Sequence, residues 1–191
     1  MKKIIILSAA IFIFSLAASA KNNHNHGNPT GVSSNANQSV GLGLSNAIAI
    51  TFVSTGNATG SELSLPFSTV ADYTNGVTSS AQQLKVQSNM PFNITVNANA
   101  ANFTYSGSVT PAPAMPVTDL NIMVTANSTG GAVQGTYNSS FTDLSTSAAT
   151  ILSGCARGGN QTFSVQYEAT PGFAYPAGTY TANVVYTATQ P

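Results

Sequence analysis

From Val40 onward, apolar and polar residues alternate with a period of two. Val40, Leu42 and Leu44 alternate with Gly41, Gly43 and Ser45, and Ile48, Ile50 and Phe52 keep the same rhythm. Leu84 and Val86 follow, then Phe92, Ile94 and Val96, then Leu120, Ile122 and Val124. The last runs are Phe163, Val165 and Tyr167, and Tyr180, Ala182, Val184 and Tyr186. A period of two sends one set of side chains into a core and the other into solvent, which is the pattern of half-buried β-strands. Turn-forming groups punctuate the runs: Thr55-Gly56-Asn57, Asn75-Gly76, Asn89-Met90-Pro91, Pro111 to Pro116, Gly130-Gly131, Gly158-Gly159 and Pro171-Gly172. Asn75-Gly76 predicts a tight hairpin, because both central positions of such a turn favour positive φ. Beyond the N-terminal region no run of a dozen residues has helical period. The prediction is an all-β fold, a two-sheet immunoglobulin-like sandwich of about eight to ten strands. A closed barrel is the lesser alternative.

The N-terminus reads differently. Met1-Lys2-Lys3 is followed by an apolar run from Ile4 to Leu16, and then by Ala17-Ala18-Ser19-Ala20. Basic start, apolar core and small-residue site make residues 1–20 a secretory signal peptide, cleaved before Lys21. The apolar run is too short for the ~20 residues that span a bilayer. Lys21 occupies the position where a lipoprotein carries its lipidated Cys. Residues 21–38, rich in Asn, Gly and Ser, form a flexible leader, and residues 39–191 form the sandwich domain. The segment at Val40, Leu42 and Leu44 is then either the first strand of that sandwich or a subunit contact. The first of these is preferred.

Composition narrows the functional classes. Of 191 residues only ten are charged, five Lys+Arg and five Asp+Glu, and there is one Cys and no Trp. Five cations cannot build the basic stripe that a nucleic-acid binder needs, and one Cys cannot pair within the chain. The signal takes Lys2 and Lys3 with it, leaving three cations against five anions and a net charge of −2. The Asn-x-Thr triplets at Asn57, Asn93 and Asn102 are expected by chance in so Asn- and Thr-rich a chain. The short Met-Lys-Lys start is bacterial in style.

Little in the chain points to catalysis. His24 and His26 are the only histidines and both lie in the leader, so the sandwich lacks the base of a Ser-His or Cys-His pair. Glu62, Asp72, Asp119, Asp143 and Glu168 are isolated acids, none in a motif that marks a glycosidase pair. They read as solvated turn or edge residues. Neither a calcium loop nor a phosphate-binding glycine loop is present. No cofactor and no metal site is predicted. Cys155 reads as a buried small residue, with an intermolecular disulfide as the alternative. Binding has one marked candidate. Phe173 and Tyr175 lie in the loop Thr170-Pro-Gly-Phe-Ala-Tyr-Pro176, where they either stack on a sugar or partner group or fold back over the end of the sandwich. Gly178-Thr179-Tyr180 admits a corner tyrosine, whose hydroxyl ties down nearby backbone, or an aromatic that faces the core. The Thr/Asn/Gln-rich outer faces of the strands keep a low-charge surface wet.

Two stretches carry a resemblance. One is Asn75-Gly-Val-Thr-Ser-Ser-Ala-Gln-Gln-Leu-Lys-Val-Gln-Ser-Asn-Met-Pro-Phe-Asn-Ile-Thr-Val. The other is the ending Tyr175-Pro-Ala-Gly-Thr-Tyr-Thr-Ala-Asn-Val-Val-Tyr-Thr-Ala-Thr. These two stretches, 22 and 15 residues long, are similar to spore-coat-protein-U and Csu-type pilus subunits, secreted bacterial sandwiches, with an architecture that also resembles WxL domains. The chain has no Trp, so the WxL signature is missing and peptidoglycan binding does not carry over. Cys155 has no partner for the disulfide usual in Csu-type subunits. The resemblance implies a surface or filament protein and brings no catalytic residues. Pilus subunits borrow an alternating strand from a neighbour, and Val40-Gly-Leu-Gly-Leu44 has the alternation of such a donor. Gly178 to Thr189, read as one full closing strand, argues against a missing strand.

The expected function is that of a non-enzymatic, exported structural or adhesive protein of the bacterial cell surface or of an extracellular filament. Its partners would be itself or a cell-envelope protein, with no nucleic acid and no membrane span. The alternative is a monomeric glycan- or peptidoglycan-binding module using Phe173 and Tyr175.

Overall fold

A computed structural model describes residues 33–111 and 114–191. The signal peptide, His24 and His26 lie outside the described residues. The chain divides into two units, Met1–Leu42 and Gly43–Pro191. Of the first, residues 33–42 are described; they are exposed and in no helix or strand.

The second unit is all-β, with twelve strands among the described residues. In chain order they are β1 (Ile48–Phe52), β2 (Val77–Thr78), β3 (Gln82–Ser88), β4 (Phe92–Ala98), β5 (Thr104–Ser106) and β6 (Leu120–Asn127), then β7 (Ala132–Val133), β8 (Thr142–Asp143), β9 (Ala149–Cys155), β10 (Gly158–Ala169), β11 (Thr179–Thr181) and β12 (Val184–Thr189). The number exceeds the expected eight to ten because β2, β7 and β8 are two-residue pairings, too short to show a period.

The strands form two main antiparallel sheets. The larger runs β1-β3-β10-β6-β8, with β2 also paired to β10, and the smaller runs β12-β4-β9-β7. A third pairing joins β11 to β5. The sheets share one core. Leu84 and Val86 of β3, Ile122 and Val124 of β6, and Phe163 and Val165 of β10 pack with Phe92, Ile94 and Val96 of β4 and Ile151 and Leu152 of β9. Every one of these was expected to face inward except Ile151 and Leu152. Those two are neighbours in sequence and both buried, which the irregular register of β4 against β9 permits. A similar shift between Ser164 and Val165 against β6 leaves Phe163, Ser164 and Val165 all buried in a row.

Three sequence-based expectations are corrected. Val40, Leu42 and Leu44 are not the first strand of the sandwich: they stand outside every strand and are 74%, 86% and 90% exposed. Alternation gives a segment two faces, but a ladder also needs a partner, and β3 is already paired on both sides by β1 and β10. The first anchored residues are Ser45, whose carbonyl accepts from Asn89 Nδ2 at 2.8 Å, and Ala47, whose N–H donates to Asn89 Oδ1 at 2.9 Å.

Asn75-Gly76 is not a hairpin. Val70–Asn75 is a short helix, α1, and Gly76 at φ 82° is its C-cap. Asn75 keeps negative φ, so the left-handed pair required by a tight hairpin never forms. The signal overlooked is Thr69-x-x-Asp72, a capping box. Asp72 N–H donates to Thr69 Oγ1, and Asp72 Oδ2 accepts from Thr69 N at 2.7 Å and Ser68 N at 2.8 Å. Those backbone donors hold the Asp72 carboxyl below the usual range.

Gly178 to Thr189 is two strands rather than one. β11 leaves for β5, and among the described residues β12 pairs only with β4. So β12 is one edge of the smaller sheet, and β1 is one edge of the larger. Phe52 of β1 meets Tyr186 of β12 edge-on, with ring centroids 6.1 Å apart, and Gln190 Nε2 donates to Ala47 O at 2.9 Å. The two edges therefore flank the same side of the sandwich.

Candidate functional site

Two concave regions stand out, and one of them borders that side. The larger is a groove of about 760 Å3, whose walls include Ile50 to Phe52 of β1 and Thr179 to Tyr186 of β11, β12 and their link. Its lining also includes the inward side chains Leu84 and Tyr167. The segment Ser61 to Phe67 contributes Leu63 and Leu65. Leu63, Leu65 and Phe67 are half-buried while Ser64 and Pro66 are exposed, a strand-like alternation outside any strand. Pro66 lacks the N–H that a ladder would use.

The second region is a cavity of about 310 Å3 at the loop between β10 and β11. The loop's turn is made by Gly172 at φ 60°. Beyond it, the Tyr180 hydroxyl donates to Pro176 O at 2.9 Å, the backbone tie expected of a corner tyrosine. Tyr105 closes the corner from β5, its hydroxyl donating to Ala177 O at 3.0 Å and its ring 4.9 Å from that of Tyr180. A Cβ on Gly178 would fall 2.3 Å from that Tyr105 ring, so the Ala-Gly-Thr turn needs its glycine for close approach.

The two aromatics singled out in the sequence part company here. Tyr175 is half-buried, lines the cavity, and meets Tyr180 at 6.2 Å with the rings inclined by 64°. Burial pushes its hydroxyl up, and the neighbouring Asp119 carboxylate, which faces it as a hydrogen-bond acceptor and as a charge, pushes it further. Phe173 is not part of the lining. It is 67% exposed and stacks on Tyr73 of α1 at 5.3 Å, and Tyr73 in turn packs on Phe67 at 5.4 Å.

Asp119 is the residue that sequence reasoning undervalued. It closes a single 3-10 turn, Val117–Asp119, immediately before β6. It was expected to be solvated, yet it is half-buried, lines the cavity, and its Oδ2 is buried without a hydrogen-bond partner. Its backbone is pinned on both sides. Its N–H donates to Pro116 O at 3.1 Å, and its carbonyl accepts from Thr170 N at 3.1 Å. Among the other acids, Asp143 accepts from Asn121 Nδ2 and Asp72 serves the helix cap, so both are engaged structurally.

Cys155 is fully buried in the core, and its Sγ accepts from Thr129 Oγ1 at 3.2 Å. Burial raises the thiol pKa, partly offset by that hydroxyl, so little of the reactive thiolate forms near neutral pH. A water-soluble aromatic disulfide reagent should leave Cys155 unlabelled in the native protein and label it fully in urea. Rapid native labelling would place the thiol outside the core.

No protein family matches the chain, and no curated protein matches it.

Proposed function

We propose that this protein is a non-enzymatic structural or adhesive component of the bacterial cell surface or of an extracellular filament, exported by its N-terminal signal. Val40, Leu42 and Leu44 are its subunit contact. The observation that carries this reading is a complementary pair of features. A period-two apolar segment stands exposed outside any strand, and a groove lies between β1 and β12, two sheet edges that pair with no further strand among the described residues. An unpaired edge is a template for a further strand. In strand addition, backbone hydrogen bonds supply affinity and alternate side chains fill the groove. Among the described residues no helix is long and apolar enough to cross a membrane. With so few charges, repulsion between copies is weak.

The test is the size of the native protein, run unboiled beside a boiled sample. The expected result is a ladder that collapses on boiling and disappears when residues 21–44 are deleted. Because anchoring begins at Ser45, the deletion should leave the domain's melting temperature nearly unchanged. A single monomer band from the intact chain overturns the reading, and so does a ladder removed only by reductant. A second reading, a monomeric glycan-binding module, is favoured by Tyr175 in the wall of an aromatic cavity.

A further inference from the structure

The smaller cavity carries a separate conclusion, independent of strand addition. Its lining holds Phe67, Tyr73, Tyr175 and Tyr180 as aromatic surfaces and Met115 as a polarisable thioether. A single ionisable acid, Asp119, stands among them. Tyr175 and Tyr180, inclined at 64°, make a corner rather than a flat platform. Exposed Ala177 and Gly178 belong to the wall, so the cavity opens to solvent. Neither Lys85 nor Arg157, the cations among the described residues, is part of it.

The Tyr175 hydroxyl faces the Asp119 carboxylate, but Asp119 Oδ2 is withdrawn from water without a donor, which is costly, and the cost is met by a hydrogen-bonded cation or another donor. Aromatic faces carry negative electrostatic potential and attract cations. Both features favour positive charge, and among the described residues no lining side chain offers a compensating charge to an anion. A neutral sugar gains stacking from such walls, but it usually meets several amide or carboxylate groups that fix its hydroxyls. Here Asp119 is the one carboxylate, and the Tyr180 hydroxyl is already committed to Pro176 O. The volume is at the lower limit of the ~300–1,000 Å3 of ligand pockets, enough for a cationic head with a short apolar stem.

We infer that the cavity bounded by Tyr73, Tyr175, Tyr180 and Asp119 is a binding site for an organic cation, an alkylammonium or guanidinium group. The charged head pairs with the Asp119 carboxylate and the stem lies against the tyrosine rings. A free amine and a lysine or arginine side chain of a partner share this chemistry.

The experiment is a calorimetric titration of the intact chain with N-acetyl-lysinamide, n-butylammonium chloride, the neutral isostere N-acetyl-norleucinamide and a chitooligosaccharide. Both amines should bind, and the norleucine compound should bind roughly ten- to a hundredfold more weakly than its lysine counterpart. Tighter binding of the lysine compound than of butylammonium assigns the site to a protein-borne side chain; equal binding assigns it to a free amine. Asp119→Asn should reduce amine affinity by a similar factor, and Tyr175→Leu should reduce it while sparing the charge dependence. Equal affinity for charged and neutral isosteres overturns the inference without any variant that must fold. Saccharide binding in the absence of amine binding overturns it too and returns the cavity to the glycan reading. Because the readout is binding, its failure leaves the assembly experiment unaffected.

Discussion

Phe163→Ala should remove roughly 3–5 kcal/mol of folding stability, the usual cost of truncating a fully buried aromatic ring. Phe163 is 1% exposed and sits on β10, the strand paired with β3 on one side and β6 on the other. Its ring meets Tyr186 of the smaller sheet edge-on at 6.2 Å, so the side chain joins the two layers. The loss combines the transfer of the ring to water with the cavity left between sheets that relax only in part. Against a total of about 5–15 kcal/mol for a domain, that is a large fraction. Urea unfolding followed by far-ultraviolet circular dichroism measures it. Val185→Ala, which trims a side chain 40% exposed on β12, is the control and should stay within about 0.5 kcal/mol. Equal effects from the two substitutions would mean that β10 does not form the centre of the core.

Phe163, Val165 and Tyr167 were legible in the sequence because they alternate with polar residues there, while the burial of Ser164 between them comes from the register shift against β6. The same holds for Leu84 and Val86, for Phe92, Ile94 and Val96, and for Leu120, Ile122 and Val124, all buried as the alternation predicts. β9 was hidden because Ile151 and Leu152 are consecutive, and irregular pairing with β4 lets both face inward. The short helix was hidden by a turn signal. Asn75-Gly76 describes a local preference, while the capping box at Thr69 and Asp72 starts a helix that ends on the same glycine. Val40 to Leu44 has the alternation of a strand, yet pattern alone does not reveal whether a neighbour is available to pair with it.

The candidate cavity was half legible. Tyr175 could be singled out because it is an aromatic in a Pro/Gly-rich loop between two confident strands. Asp119 could not, since its importance comes from contact across the fold: Thr170, at the start of that loop, donates to the Asp119 carbonyl. A lone acid ahead of a strand carries no local mark of the aromatic cavity it will line. Phe173 and Tyr175 look equivalent in sequence. The turn at Gly172 and the packing of Tyr73 give one to α1 and the other to the cavity.

Alkaline pH should destabilise the sandwich through one hydroxyl pair. Tyr167 of β10 and Tyr186 of β12 place their hydroxyl oxygens 2.6 Å apart, linking the larger sheet to the smaller. Burial pushes Tyr167 up to about 12, partly opposed by its hydrogen bond to Tyr186. Burial likewise holds Tyr186 well above the usual range, and the adjacent Tyr167 raises it further. In the unfolded chain both ionise near pH 10, so at higher pH the folded state retains protons that the unfolded state has lost. Stability is therefore fully present below about pH 10 and falls as pH rises toward the folded pKa, by on the order of 2 kcal/mol from Tyr167 alone at about pH 12. Urea melts across that range should show the decline, and ultraviolet difference titration should show tyrosines ionising late. Tyr186→Phe leaves the Tyr167 hydroxyl without this partner and should cost roughly 1–2 kcal/mol near neutral pH. The double variant Tyr167→Phe with Tyr186→Phe removes both hydroxyls together. It should cost less at neutral pH than the single change and flatten most of the alkaline decline; Tyr137, Tyr175 and Tyr180, also shifted upward, account for the remainder. A decline of unchanged size in the double variant would assign alkaline unfolding to other groups. Both tyrosines also line the groove between β1 and β12. A strand seated there would bury them more deeply, so assembled protein should titrate at higher pH than the variant lacking residues 21–44.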